Sequence, residues 1–431
     1  MISKLRNGTV RGAYSICALS VLSCGVSVAQ TSGFDTNGHT KYRITSTTFP
    51  DDSFFRGLTG SSAEDVGFDA RLNFNWDADN WDLQADAQFG AFYGDTTEFT
   101  RGFGGELRTL FPRLPNDDRR LFDLTHTITD EGKRAALTRL DRFSAGYTGN
   151  SGVLRFGRQA VTWGNGLIFN TVMDIFNPFD PTAIDKEYKS GDDMLYGQFL
   201  RDNGDDVQTV VVFRRSPLTG DLETDQGSLA AKYHGVLGAG EYDLVVARHF
   251  DETLLGFGGN RSIGGALWRG DLTVAFTDDQ GSVVSAVTSL SHAFTWVGKN
   301  VSAVVEYYLN GFGQSDGRYA PADLAANPDL LQRLARGEVF NLGRHYIGLS
   351  ALIEITPLFL LTPNLFVNIE DTSALLQIST RTDLSESMLL LGALNVPVGS
   401  SGTEYGGIDS GVPGLQLSSG PGIFVQLAWY F

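Results

Sequence analysis

The chain ends on Pro421-Gly422-Ile423-Phe424-Val425-Gln426-Leu427-Ala428-Trp429-Tyr430-Phe431, and this stretch limits the fold more than any other. Side chains of an extended strand alternate between two faces. Ile423, Val425, Leu427, Trp429 and Phe431 therefore share one face, and Gln426 and Ala428 share the other. An entire face of the last strand is apolar and finishes in aromatics. A soluble sheet ending on such an edge would template aggregation. Closing the sheet on itself removes the edge, and in a bilayer only closed sheets and helices satisfy every backbone group. The stretch has about the length of one membrane-crossing strand.

A hairpin near the other end repeats the pattern. Val66, Phe68, Ala70, Leu72, Phe74 and Trp76 alternate with Gly67, Asp69, Arg71, Asn73, Asn75 and Asp77. After the turn Asp77–Asn80, Trp81, Leu83, Ala85, Ala87, Phe89, Ala91 and Tyr93 alternate with Asp82, Gln84, Asp86, Gln88, Gly90 and Phe92. Both strands exceed the usual soluble length, and neither apolar face carries a charge. Trp76 and Trp81 flank the turn, where an aromatic girdle meets a membrane interface. A soluble β-sandwich is the competing architecture. It explains neither the strand length nor the final strand.

The N-terminus reads as an export signal over 1–29. Lys4, Arg6 and Arg11 precede a mostly apolar run, and Ser27-Val28-Ala29 is a small-x-Ala cleavage site. Both cysteines, Cys17 and Cys24, lie inside it, so residues 30–431 hold no thiol for a disulfide or a metal. Cleavage removes those three basic residues and no acid, taking the formal charge from −17 to −20. Such a charge argues against nucleic acid as a partner. No later apolar run is long enough for a membrane helix. A mean hydropathy of −0.09 fits strands that are apolar on alternate residues only.

The final strand resembles the C-terminal signature of Gram-negative outer-membrane β-barrels. That resemblance implies insertion by the barrel-assembly machinery and contact with outer-membrane lipid and lipopolysaccharide. The whole chain then reads as all-β: a single transmembrane antiparallel barrel over 30–431 with about 18 strands, or 16 if 356–382 holds fewer. Short turns alternate with long segments at 49–65, 94–140, 163–191, 311–343 and 397–421. Within this reading Arg261–Trp268 and Asp271–Thr277 are separate strands joined at Arg269-Gly270. Asp130–Arg142 and Pro321–Gly337 are expected as short helices in outer loops.

Arg155-Phe156-Gly157-Arg158-Gln159 with Trp163-Gly164, followed by Asp174-Ile175-Phe176-Asn177-Pro178, resembles a set of uncharacterised porin-like proteins. Its Arg-x-Gly-Arg-Gln segment is also similar to alginate-export porins. The resemblance implies an outer-membrane channel, a third outer loop (163–191) folded into the lumen, and, by analogy with general porins, a homotrimer. Arg155 and Arg158 cannot share a face on a regular strand, and a bulge near Gly157 would reconcile them.

A barrel of this size leaves an aqueous channel whose lining sets selectivity. By alternation Asp69, Arg71, Asp82, Asp86, Arg142 and Arg155 point inward. Asp174, Asp180, Asp185 and Glu187 would bring acid to a constriction facing Arg71, Arg142 or Arg158. An acidic lumen predicts passage of cations or neutral polar solutes. The alternative is transport of a hydrophobic or polymeric substrate past the aromatic loop. A hydrolase ranks last: there is no metal or phosphate-binding motif and no cofactor signature. Gly313-Gln314-Ser315-Asp316-Gly317 matches a nucleophile-elbow string without its strand–turn–helix context. His234, His249, His292 and His345 remain the conceivable bases.

Overall fold

The computed structural model describes residues 33–103, 111, 114–169 and 171–431. The expected signal segment lies outside them. The walls are β1 (Gly33–Thr48), β2 (Ser62–Ala78), β3 (Trp81–Gly94), β5 (Arg134–Thr148), β6 (Gly152–Gln159), β7 (Asp192–Leu200), β8 (Asp206–Val212), β9 (Ser228–Leu237) and β10 (Gly240–His249). They continue through β11 (Glu252–Ile263), β12 (Ala266–Thr277), β13 (Gly281–Trp296), β14 (Lys299–Leu309), β15 (His345–Thr356), β16 (Phe359–Asn368), β17 (Ala374–Asp383), β18 (Met388–Val398) and β21 (Gly422–Tyr430). Every pairing is antiparallel, and β21 pairs with β1 from Tyr430↔His39 to Gly422↔Thr47. The sheet closes as an 18-stranded barrel. Closure leaves no open edge, as a bilayer requires.

The remaining strands belong to loops. β4 (Thr125–Glu131) pairs with β5 beyond the point where β6 ends. β19 (Ile408–Asp409) and β20 (Gln416–Leu417) form a small ladder in the last loop. Short turns gather at one end of the barrel and most long loops at the other, where the loops pack into a partial dome. Tyr319, Leu324, Leu330, Leu342 and Ile408 form one apolar cluster there. Phe49, Phe55 and Ala63, with Phe54, Phe99, Phe103 and Phe111, form a second.

The period-two pattern maps onto the wall as expected. Leu72, Phe74 and Trp76 are exposed on the outside, whereas Arg71 and Asn73 are buried inside. One irregularity adds charge to the lumen. Between Asp86↔Arg142 and Ala87↔Leu140 the register slips by one residue at Asp141. This bulge turns both Asp141 and Arg142 inward.

Three expectations are corrected. Arg269-Gly270 is not a turn: β12 runs straight through it, and the turn lies at Gly264-Gly265. The stretch 252–260, which lies outside the expected strands, is most of β11, so the strand total is preserved by two cancelling errors. The glycines that disguised β11 have a packing cause. A Cβ on Gly256 would sit 3.3 Å from the Met173 sulfur, and one on Gly258 would sit 2.3 Å from Asp271 Oδ1. Asp130–Arg142 is not helical either: it takes in the end of β4, the hairpin turn and the loop-side part of β5. The other expected helix exists as two, α3 (Pro321–Ala325) and α4 (Pro328–Arg336).

Phe431 extends the closing ladder. Phe431 donates to the Gly38 carbonyl at 3.0 Å and accepts from the Gly38 amide at 2.9 Å. Its ring packs where a Gly38 Cβ would stand. Deleting Phe431 removes two ladder bonds, each worth roughly 0.5–1.5 kcal/mol. The expected result is a lower unfolding midpoint in urea with an unchanged far-ultraviolet spectrum of the folded fraction.

Candidate functional site

The segment 160–191 leaves the wall at the end of β6 and enters the lumen. Its neighbours show how far it reaches. Val161, Trp163, Met173, Ile175 and Phe176 pack against Met194, Val210, Val212, Ala230, Val245 and Ala247, the inward residues of β7–β10. Ile168 and Phe169 pack against Val287, Tyr308, Tyr346 and Phe366 on β13–β16. Inward apolar residues on these strands would be costly beside water, and the loop covers them. Gly348 makes room: a Cβ there would approach Ile168 and Phe169 within 2.9 Å.

Two wall carboxylates hold the loop by its backbone. Glu306 of β14, only 1% exposed, accepts from the amides of Leu167 (2.7 Å), Ile168 (2.9 Å) and Phe169 (2.6 Å). Asp271 of β12 accepts from the Asn165 amide (2.5 Å), the Asn165 side chain (2.8 Å) and the Thr171 hydroxyl. A buried carboxylate is costly unless hydrogen bonded, and each of these is met by three donors. Trp163 Nε1 donates to Gln208 at 2.8 Å, and Gln377 donates to the Thr182 carbonyl at 2.8 Å.

The far side is fastened by charge. Lys41 Nζ donates to Asp185 (2.7 Å) and Glu187 (2.6 Å). Gln426 and Tyr430 of β21 donate to the same two carboxylates. Tyr188 lies under the Arg71 guanidinium at 4.1 Å and stacks with His39. Within the loop Lys189 Nζ bonds Asp174 at 2.5 Å. Burial raises the Asp174 carboxyl, only partly opposed by Lys189, to about 6. The loop therefore touches wall strands around nearly the whole circumference.

Most of the expected lining acids are neutralised by partners. Asp69 meets His39 at 2.9 Å, and Asp82 meets Arg155 at 3.1 Å. Arg71 bridges Asp86 and Asp141, both at 2.9 Å, and Arg142 bonds Asp141 at 2.8 Å. Asp174, Asp185 and Glu187 are paired as described. Among the described residues Asp180 has no cation within salt-bridge distance; it accepts from the amide and hydroxyl of Thr182, and Lys186 is the base whose charge it feels. Alternation placed these side chains but could not show that nearly all lie in ion pairs.

Arg158 is a correction. No bulge occurs at Gly157, which keeps its register with Ser144 at a φ of 125°. Arg158 stays on the outer face, fully buried beneath residues 114–124. There it bonds Asp193 (2.9 Å) and the Phe122 carbonyl (2.6 Å) and pairs with Asp117 (2.9 Å). It faces none of the loop acids. Glu306 and Asp271 were missed because a lone acid among apolar residues carries no local signal of its ligands.

At the loop end His249 contacts Ser228 through Nδ1 at 2.7 Å and Glu338 through Nε2 at 3.2 Å. Ser228 and His249 are each 5% exposed, and Arg214 donates to the Ser228 hydroxyl at 2.7 Å. This network is closed to solvent. It ties the segment after α4 to the rim. The Gly313–Gly317 string lies in the same outer loop, where the Gln314 amide bonds the Leu342 carbonyl at 2.8 Å.

No protein-family profile matches the sequence, and no curated protein sequence matches it. The geometry defines the class directly: a closed, loop-constricted 18-stranded antiparallel barrel. Solved structures of outer-membrane barrels are similar to it in fold. OccAB4 of Acinetobacter baumannii matches with a TM-score of 0.52 at 9% identity, over 94% of this chain and 99% of that one. A BenF-like porin from Pseudomonas fluorescens matches at 0.50 and 8%, over 92% and 98%. Wzi of Escherichia coli, an outer-membrane carbohydrate-binding barrel involved in group 1 capsule assembly, matches at 0.50 and 11%, over 90% and 83%. At these identities the likeness is one of fold.

Replacing Glu306 by Leu would strand three amides, each costing about 1–3 kcal/mol when buried unmet. The expected outcome is a loosened loop, read as faster hydrogen exchange of the amides at 167–169 with the barrel still folded. The rim responds to acid. Burial alone would raise Glu338, but His249, Arg336 and Arg333 outweigh it and pull its carboxyl down to about 2. A depressed carboxyl stabilises the fold above its unfolded pKa and loses that contribution as pH falls toward its folded pKa. Hydrogen exchange over 328–337, corrected for intrinsic rate, should therefore accelerate between about pH 4.5 and pH 2.

Proposed function

We propose that this protein is a passive porin-like channel of the bacterial outer membrane, with 160–191 as its permanent constriction, rather than an enzyme. The observation that carries this is the fastening of that loop around the inside of a barrel wide enough for an aqueous lumen. A loop so packed and bonded is a fixed aperture. Moving it would expose apolar wall and strand buried carboxylates.

The lining also refines the solute. The acids of the narrowing, Asp69, Asp82, Asp86, Asp141, Asp174, Asp180, Asp185 and Glu187, face Lys41, Arg43, Arg71, Arg139, Arg142, Arg155, Lys186 and Lys189, an even balance that holds little net field. The reading therefore favours small neutral polar solutes over cations. Lipid and lipopolysaccharide would surround the wall, and the barrel-assembly machinery would meet β21. The hydrophobic-substrate alternative loses support, since Trp163, Phe169 and Phe176 are buried in loop packing and offer no open slot.

Purified protein in a planar bilayer should conduct. Under a salt gradient its reversal potential should lie close to zero, and liposomes carrying it should swell in small sugars. Absence of any conductance would overturn the channel. A strongly cation-selective potential would overturn the matched-charge argument alone.

A further inference from the structure

Arg71, Arg142 and Arg155 face the lumen in ion pairs, and Arg269 donates to the Ser291 hydroxyl at 3.1 Å. Arg43 of β1 differs from them. It points inward and is exposed, and among the described residues its guanidinium makes neither a hydrogen bond nor an ion pair. Its contact is a ring: the guanidinium carbon stands 5.1 Å from the centroid of Phe92.

The wall builds this posture. The ladders set Arg43 opposite Gly67 on β2, and Gly67 opposite Phe92 on β3, so all three face inward in one row. Arg43 runs along that row over the bare Gly67 backbone. A Cβ there would stand 2.5 Å from its Nε and 2.9 Å from its Cγ. A larger residue at 67 would lift the arginine off the wall. Laid flat, the guanidinium keeps one face on the ring and leaves its N–H groups to water. That planar fork matches a carboxylate, which accepts two parallel bonds from it.

Asp65 supplies the opposite charge. It sits diagonal to Arg43 on β2, and diagonal neighbours across a ladder stand about 7–8 Å apart. Asp65 accepts from the Thr96 amide at 3.0 Å, and among the described residues no cation lies within salt-bridge distance of it. Asp69, Asp185 and Asp65 are all close enough to act on the charge of Arg43, yet Arg43 bonds none of them. The arrangement lies two residues toward the outer loops from Lys41, which holds Asp185 and Glu187. A solute entering from the loop end meets it at the outer edge of the constriction.

We infer that Arg43, Gly67, Phe92 and Asp65 form a docking subsite for a small zwitterion of the amino-acid type. The solute carboxylate takes the N–H fork of Arg43, and the ammonium on the next carbon donates to Asp65. A bare anion is repelled by the three acids around Arg43. A sugar leaves both charges unmatched. The inference deepens the channel reading by naming its solute, which stays polar and neutral overall.

The test is saturation-transfer NMR with L-glutamine on the purified full-length protein in mild detergent, with heat-modifiable gel mobility showing that each variant folds. Expected is saturable binding, weakened at least fivefold by Arg43→Gln and by Gly67→Ala. The second variant keeps the charge and only displaces the side chain from Phe92. Acetate, the anion alone, should bind at least fivefold more weakly than glutamine, and Asp65→Asn should erase that difference. Four results would overturn the subsite: no saturable glutamine binding to the folded wild type, either of the first two variants binding as tightly as wild type, acetate binding as tightly as glutamine, or a glutamine preference that survives Asp65→Asn. Binding in detergent needs no current. A protein that is silent in bilayers but binds glutamine in this way loses the channel and keeps the subsite, whereas a conducting protein that does not bind it loses the subsite alone.

Discussion

The rest of the structure depends on the ladder between β1 and β21. It joins the two ends of a sheet whose outer face is apolar and whose inner face is polar. Without it each terminal strand would present a row of unmet amides and carbonyls to lipid, at several kcal/mol for each group. With it the wall has no edge, and its diameter follows from the strand number. That diameter creates the next problem, a lumen too wide to be filled by its own side chains.

The loop 160–191 answers it by treating the inner wall as a core. One sector, β7–β10, is lined by small apolar residues and receives Trp163, Met173 and Phe176. The opposite sector, β1 and β21, is polar and receives Asp185 and Glu187. Between them Glu306 and Asp271 grip the backbone, so the loop is held where its own side chains have least to offer. Glycines at 256, 258 and 348 are the matching vacancies in the wall. These glycines weaken a strand locally, yet each is needed where a side chain of the loop or of the next strand comes close.

The period-two stretches were legible because alternation is a local property that survives any tertiary context. The hairpin 66–93 and the last strand are the clearest cases, and the parity of the strand count followed from them. Legibility failed where tertiary packing overrode the pattern. β11 shows no alternation in the sequence because its lumen-facing positions Gly256 and Gly258 are cleared for Met173 and Asn165. Asp130–Arg142 looked helical, yet its inward Arg139 and Asp141 take their places by bonding Gln88 and Arg71 on other strands. Arg158 was expected to face the loop acids, yet it stays on the outer side with Asp117, which comes from a loop far away in sequence, and no spacing rule links the two.

The sequence alone determined that this chain is a closed β-wall with one face for hydrocarbon and one for water, since side-chain alternation over membrane-length strands leaves no other arrangement. Only the tertiary structure decided what the lumen does with its charges. Ion pairing depends on distances between side chains on different strands and on a loop that crosses the barrel. Those distances arise when the wall closes, and no order of residues along the chain contains them.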